Sequence, residues 1–249
     1  MKRLLIILAL LLLIPITSSK AATTYVPFTT TSFVPTNLPN LVLWAKKNTG
    51  LTGAPSAITA WADQSGAGHD LITQSTSKPT LDADNTVKFV AGISNQWMQA
   101  AFTSSTPRTV CMRVLNATWV TDRNIWDGVI MNSDTFEDYP TAAPNMVYGT
   151  ATNYMSFTMS VGDWHSVCGI HNGTSSVVRI DGTKFTTAVN VETGPTGGIN
   201  LMNGGNFSGS PQGYSNGKVA EVLIYSDVKS DSDLDKIIAY LDTLGGAAW

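Results

Sequence analysis

From Leu41 to Tyr225 the chain runs in short stretches, several alternating hydrophobic with polar side chains and most closed by Gly, Asn, Asp, Ser or Pro. Alternation at period two marks a half-buried β-strand, because successive side chains point to opposite faces. The clearest case is DWHSVCGIHNGTSSVVRIDGTKFTTAVNV. There Trp164 to His171 reads as a strand, Asn172-Gly173 as a tight turn and Ser175 to Ile180 as the return strand. Asp181-Gly182 then turns the chain into Thr183 to Val189. Asn-Gly and Asp-Gly supply the positive φ angles that two-residue hairpin turns need, so an antiparallel meander is expected. TVCMRVL, VKFV and KVAEVLIYS read as further strands.

One segment changes period. In SDSDLDKIIAYLDTLGG the residues Leu234, Ile237, Ile238, Leu241 and Leu244 fall on one helical face. Ser230 or Ser232 can cap its start, acids crowd its first turn, and Gly245-Gly246 stops it. A single amphipathic helix after a run of strands is expected to pack as a lid on a sandwich. No repeat or shift in composition divides residues 39–249, so they read as one all-β domain of two antiparallel sheets with one C-terminal amphipathic helix.

The N-terminus follows other rules. Lys2 and Arg3 precede an apolar run from Leu4 to Ile14, and Ser19 and Ala21 fill the small-residue positions of a cleavage site. That is the pattern of a secretory signal over residues 1–21, too short for the roughly 20 apolar residues that span a bilayer. Residues 22–38, ATTYVPFTTTSFVPTNL, alternate Thr with Tyr, Val and Phe around two prolines and read as an extended arm. Such an arm can add a strand to the open edge of a second copy.

Removing residues 1–21 leaves 12 basic and 18 acidic side chains, a formal charge of −6 where the whole chain carries −3. Nucleic acid is bound by clustered Lys and Arg, so that balance argues against it, and it offers nothing to an anionic membrane. The two cysteines, Cys111 and Cys168, lie in strand-like runs of a chain bound for an oxidising compartment. They read either as a disulfide or as small buried apolar residues.

The search for catalytic patterns returns absences. None of His69, His165 and His171 lies in an HExxH pattern, and His165 and His171 sit about 20 Å apart along one strand, too far to share a metal. There is no G-x-S-x-G elbow, CxxC pair or glycine-rich phosphate loop. Glycoside hydrolysis needs two carboxyl groups about 5–9 Å apart. The three glutamates, Glu137, Glu192 and Glu221, are scattered, and the adjacent Glu137 and Asp138 point to opposite sides if extended.

The stretch WADQSGAGHDL, Trp61 to Leu71, resembles the W-x-D-x-S-G-x-G-x-D-L signature of concanavalin A-like, laminin-G-like jelly-roll domains. FVPTNLPNLVLWAKKNTG, PTLDADNTVKFVAG, WHSVCGIHNGTSSVVRIDG and GKVAEVLIYSDVKSDSDLDKIIAYL resemble further elements of that family in the same order, covering most of residues 33–245. The resemblance implies a jelly-roll sandwich in which Trp61 packs on the sheets while Asp63 and Ser65 hold the Gly66–Gly68 turn, a corner brace. The Glu-x-Asp-x-x-Glu strand of laminarinase-type members is missing, so no enzymatic activity carries over. Legume-type lectins of the superfamily hold calcium with clustered Asp and Asn, and Asp82, Asp84 and Asn85 are the nearest equivalent.

A sugar site combines aromatic faces with amides or carboxylates. Two loop-like regions have that mixture. The first offers Trp126, Asp127, Asn132, Asp134, Tyr139, Tyr148, Asn153 and Tyr154. The second offers Asn203, Asn206, Phe207, Gln212 and Tyr214. The leading expectation is an exported, non-catalytic module that binds a glycan or cell-surface polysaccharide. A self-assembling structural subunit using residues 22–38 comes second, and a glycan-cleaving enzyme third.

Overall fold

The computed structural model describes residues 32–91, 95–120, 122–130, 132–138, 145–150, 153–186, 191, 193–207 and 210–244, with no side chains for 204–212. Two antiparallel sheets stack with their apolar faces together. In spatial order the first sheet holds β15 (Thr183–Thr186), β14 (Val177–Ile180), β13 (Trp164–His171), β8 (Arg108–Asn116), β19 (Gly217–Tyr225), β6 (Val87–Phe89) and β5 (Thr80–Leu81). Strand β1 (Leu41–Ala45) pairs with the second half of β19. The second sheet runs β12 (Tyr154–Thr158), β11 (Asn145–Gly149), β10 (Thr135–Asp138), β9 (Arg123–Asp127), β16 (Gly198–Leu201), β7 (Met98–Ala101), β4 (Leu71–Thr73), β3 (Ala57–Trp61) and β2 (Leu51–Ala54). A separate hairpin joins β17 (Gly204–Phe207) to β18 (Ser210–Gln212). The expected jelly-roll sandwich is what the chain forms.

The central strands β8 and β19 of the first sheet are buried on both faces. Val110, Met112 and Val114 of β8 face the sandwich core, whereas Cys111 joins a second apolar cluster on the outside. On β19 a register shift between Val219 and Glu221 keeps Val222 and Ile224 inward and sends Leu223 and Tyr225 outward. Burial on both sides explains why these two strands read as near-continuous apolar runs.

Helix α1 (Asp231–Asp242) covers that outer face. Ser230 caps it, its Oγ accepting from the Asp233 N–H at 3.2 Å, while Asp231 and Asp233 complement the N-terminal dipole. Leu234, Ile237, Ile238 and Leu241 are buried against the sheet, each worth about 1.5–3 kcal/mol of apolar burial. The helix ends at a Thr243 C-cap, ahead of the Gly245-Gly246 stop expected from sequence, which lies outside the described residues. Phe33 and Leu38, assigned above to the arm, pack on this same cluster, and the Tyr225 hydroxyl donates to the Pro35 carbonyl at 3.1 Å. Residues 22–31 of the arm lie outside the described residues.

Cys111 and Cys168 are direct cross-strand partners on β8 and β13 and form a disulfide under the helix. They are both bonded and buried. Sequence leaves those readings open because it does not set the register between the two strands.

The meander is correct with one adjustment. Asp181-Gly182 is a two-residue turn with φ of 49° and 82°, and Ile180 pairs with Thr183. Asn172-Gly173 instead begins a longer loop in which Ile170 pairs with Val177. There the Ser176 hydroxyl accepts from the Asn172 N–H and donates to the Gly173 carbonyl, widening the turn.

Candidate functional site

The Trp61–Leu71 stretch folds as the brace its signature implies. Asp63 Oδ1 accepts from the N–H groups of Trp44 and Ser65, both at 2.8 Å. Its Oδ2 accepts from the Ser65 hydroxyl at 2.7 Å and the His69 N–H at 3.1 Å. Burial pushes this carboxyl up, but the hydrogen bonds, those from the Ser65 and Trp44 backbones foremost, pull it net below the usual range. Gly66 and Gly68 carry φ of 91° and 79°, which a side chain would strain. Trp61 is buried beneath, its Nε1 donating to the Lys46 carbonyl at 2.9 Å.

The brace also aims a histidine. His69 Nδ1 donates to the Val42 carbonyl at 2.8 Å, which leaves Nε2 as an acceptor on the neutral ring. The ring stacks on Phe102 with centroids 4.0 Å apart and planes 5° from parallel. Beside this pair lies a cavity of about 240 Å³. Val42 and Ile224 give it apolar surface, and residues 103–108 with Ser226 complete the wall. Ser104 and Thr106 spend their hydroxyls internally, on Thr196 and Gly198 and on Gly194. The hydroxyls of Thr103, Ser105 and Ser226 make no hydrogen bond among the described residues.

Arg108 closes the cavity towards the core. Its Nε donates to Asp134 at 2.6 Å and its Nη1 to the Gly198 carbonyl at 2.9 Å, while Nη2 has no partner. Asp134 is fully buried. Burial alone would raise its carboxyl, but the Arg108 guanidinium, helped by His171 at 3.5 Å, holds it far below the usual range. The Tyr148 phenol, pushed up by burial and by Asp134, packs beside His171 with ring centroids 6.0 Å apart.

These contacts correct several sequence expectations. Much of the first loop-like region is strand: Trp126 and Asp127 lie on β9, Tyr148 on β11 and Tyr154 on β12, whereas Asn132, Asp134 and Asn153 lie between strands. Trp126 stacks on Phe136 at 4.3 Å, and Trp126, Tyr148 and Asp134 are wholly buried between the sheets. None of them is placed to meet a sugar at the surface. The pattern was obscured by a bulge: Trp126 pairs with Phe136 but Asn124 with Glu137, so consecutive residues Ile125 and Trp126 both join the core. Asn203 is buried as well. Asp127 is a turn brace, accepting from the N–H groups of Gly128 and Asn132 and from the Thr135 hydroxyl.

Asn132 is half-buried with φ of 55°, which suits its turn. Tyr154 and Tyr214 are half-buried, Tyr154 on the edge strand β12 and Tyr214 bridged to Asn124. Neither borders the cavity. Asn153 accepts, through its carbonyl, from Thr150. Tyr139 lies outside the described residues, as do the side chains of Asn206, Phe207 and Gln212. In the calcium candidate, the Lys218 ammonium takes the cation's place, 2.5 Å from Asp82 and 3.5 Å from Asp84, and Asn85 supplies a positive φ of 61°.

Two further groups have the look of acid–base chemistry. Glu137 is pushed up to about 7 by burial and by the charges of Asp127 and Asp122; Asp138 is pushed up to about 7 by burial. Glu137 accepts from Asn124 at 3.2 Å, whereas Asp138 accepts from Asn116 at 2.7 Å and the Val120 N–H at 3.0 Å. The neighbours hold separate partners, as alternation along a strand requires. Ser160 Oγ lies 2.9 Å from His165 Nε2, and His165 Nδ1 lies 2.6 Å from Asp181, the spacing of a nucleophile, base and orienting acid. The other contacts read otherwise. His165 Nε2 also lies 3.1 Å from the Ser160 carbonyl, so it is shared between two atoms of the same loop residue. The Ser160 proton goes to Asp163 at 2.8 Å. This constellation ties a loop to the Asp181–Gly182 turn.

Sequence reasoning noted His69 only as lying outside any HExxH pattern, and passed over FTSSTPR, Phe102 to Arg108. The available signal was a hydroxyl run, an aromatic and an arginine gathered around one proline.

No protein-family model matches the sequence, and no curated protein matches it. Solved structures share its architecture. A Trypanosoma rangeli sialidase in complex with sialic acid aligns at TM-score 0.55 and 12% identity, over 84% of this chain and 34% of the sialidase. Domain 4 of AbnA, a GH43 extracellular arabinanase from Geobacillus stearothermophilus, in complex with arabinotriose, aligns at 0.55 and 13%, over 80% of this chain and 98% of that domain. The binding domain of botulinum neurotoxin DC in complex with rat synaptotagmin II aligns at 0.55 and 12%, over 85% and 53%. The chain spans about a third of the sialidase and half of the toxin chain, and at these identities the likeness is one of fold.

Proposed function

We propose that the protein is an exported, non-catalytic glycan-binding module on a concanavalin A-like sandwich, and that the cavity beside His69 holds the sugar. One observation carries this reading: the stacked His69–Phe102 pair stands next to three uncommitted hydroxyls and a free imidazole acceptor. A sugar ring has an apolar face and a rim of hydroxyls, and sites that bind it offer the complement of both. The reading is supported by domain 4 of AbnA, a fold neighbour aligned over 98% of its own length and solved in complex with arabinotriose. Export rests on the basic, apolar and small-residue pattern of residues 1–21.

The test is an array of immobilised glycans probed with wild-type protein and the His69→Ala variant. Wild type should mark a subset of glycans, and the variant should lose those signals while its far-UV circular dichroism stays unchanged. Failure of the wild type to bind any glycan would remove the proposal, and binding unaffected by His69→Ala would move the site elsewhere.

A further inference from the structure

Charge and size at the cavity narrow the ligand. A volume of about 240 Å³ corresponds to roughly eight waters at ~30 Å³ each, the bulk of one sugar ring. The wall combines the His69–Phe102 pair with the hydroxyls of Thr103, Ser105 and Ser226. Arg108 is the one charged residue of that wall, and its charge is already closed by Asp134 at 2.6 Å. Next to Ser226, Asp227 is likewise balanced by Lys229 at 2.7 Å. A ligand carboxylate would therefore find no uncompensated cation, and it would leave water close to the buried Asp134. Losing hydration without gaining a counter-charge is unfavourable. The mature chain adds a formal charge of −6, which repels acidic glycans at longer range.

We propose that the cavity takes the terminal unit of a glycan and selects an uncharged sugar over the corresponding uronic acid. The ring lies against the His69–Phe102 wall, with its hydroxyls shared among Thr103, Ser105, Ser226 and His69 Nε2. Arg108 Nη2, which has no hydrogen-bond partner among the described residues, would offer a neutral acceptor oxygen its deepest contact. This inference rests on the glycan-binding function proposed above, and the experiment separates the two.

The mature protein is titrated calorimetrically with matched oligosaccharides ending in glucose or glucuronic acid, and in galactose or galacturonic acid. For the pair it recognises, the neutral end is expected to bind at least tenfold more tightly. Masking the terminal unit with a further linked sugar should abolish binding. Thr103→Val and Ser105→Ala, both at exposed positions whose hydroxyls brace nothing, should each weaken the neutral ligand severalfold without altering the melting temperature. Equal or tighter binding of the uronic acid end overturns the selection for neutral sugars and leaves glycan binding standing. Undiminished binding of the masked ligand overturns the end-on mode. No heat with any oligosaccharide, together with a blank glycan array, overturns the function itself.

Discussion

Two polar regions at the margins of the first sheet have opposite fates. Beneath α1, Glu221 is buried and satisfied three times: by Trp44 Nε1 and the Tyr240 hydroxyl, both at 2.5 Å, and by the Lys47 N–H at 3.1 Å. Burial pushes this carboxyl up, and its donors pull it back only in part. At the end of the sandwich, three hydroxyls, an imidazole nitrogen and one guanidinium nitrogen are left open around a cavity. Both regions place hydrogen-bonding groups in or beside apolar surroundings. A buried polar group without a partner costs about 1–3 kcal/mol, so polar groups inside a fold are normally satisfied. At the cavity the hydroxyls of Thr103, Ser105 and Ser226 are exposed, and only Arg108 Nη2 is buried without a partner among the described residues, so a ligand could take up both kinds of group. Under the proposed function, the helix side serves construction and the cavity side recognition.

Interventions on the helix side should cost stability and spare binding. The largest effect is expected for Cys111→Ala with Cys168→Ala. Opening a loop with 57 residues of sequence separation removes about 4 kcal/mol in the chain-entropy model, read as a lower denaturant midpoint. Asp63→Ala strikes the brace that joins the two regions. Loss of four hydrogen bonds on a half-exposed carboxylate should cost about 2 kcal/mol and should also release His69, so stability and glycan affinity fall together. A mutant that lost stability but kept full affinity would separate the brace from the site.

The smallest expected effect lies away from both regions. The folded state holds Glu137 protonated up to about pH 7, against an ordinary value of 4.5. Between those values the native chain binds more protons than the unfolded one, so stability falls as pH rises. Glu137→Gln should flatten part of that decline and leave glycan affinity unchanged. Asp138, also held protonated up to about 7, and Glu221, likewise raised, contribute to the remaining slope.

Much of the architecture was legible from periodicity. The meander, the helix with its Ser230 cap and the brace around Asp63 each rest on local rules of alternation, capping and side-chain to backbone bonding. The site was not legible for two physical reasons. Aromatic and amide residues in β9 to β12 have the composition of a sugar site, yet a bulge broke their alternation and hid that Trp126 and Tyr148 belong to the core. The cavity wall is assembled from His69, residues 102–108 and residues 224–226, which meet only when the sheets close. Composition reports which groups exist. Only the fold reports which of them have already been used, as Asp134 and Lys218 illustrate.

The most direct test pairs Phe102→Ala, at the cavity wall, with Leu241→Ala, under the helix, in one glycan titration and one denaturant melt. Leu241→Ala should lower stability by about 2–5 kcal/mol and leave the dissociation constant where wild type has it. Phe102→Ala should weaken glycan binding tenfold or more while costing less stability than the Leu241 change. Affinity that survives Phe102→Ala intact would contradict the assignment of the cavity as the glycan site.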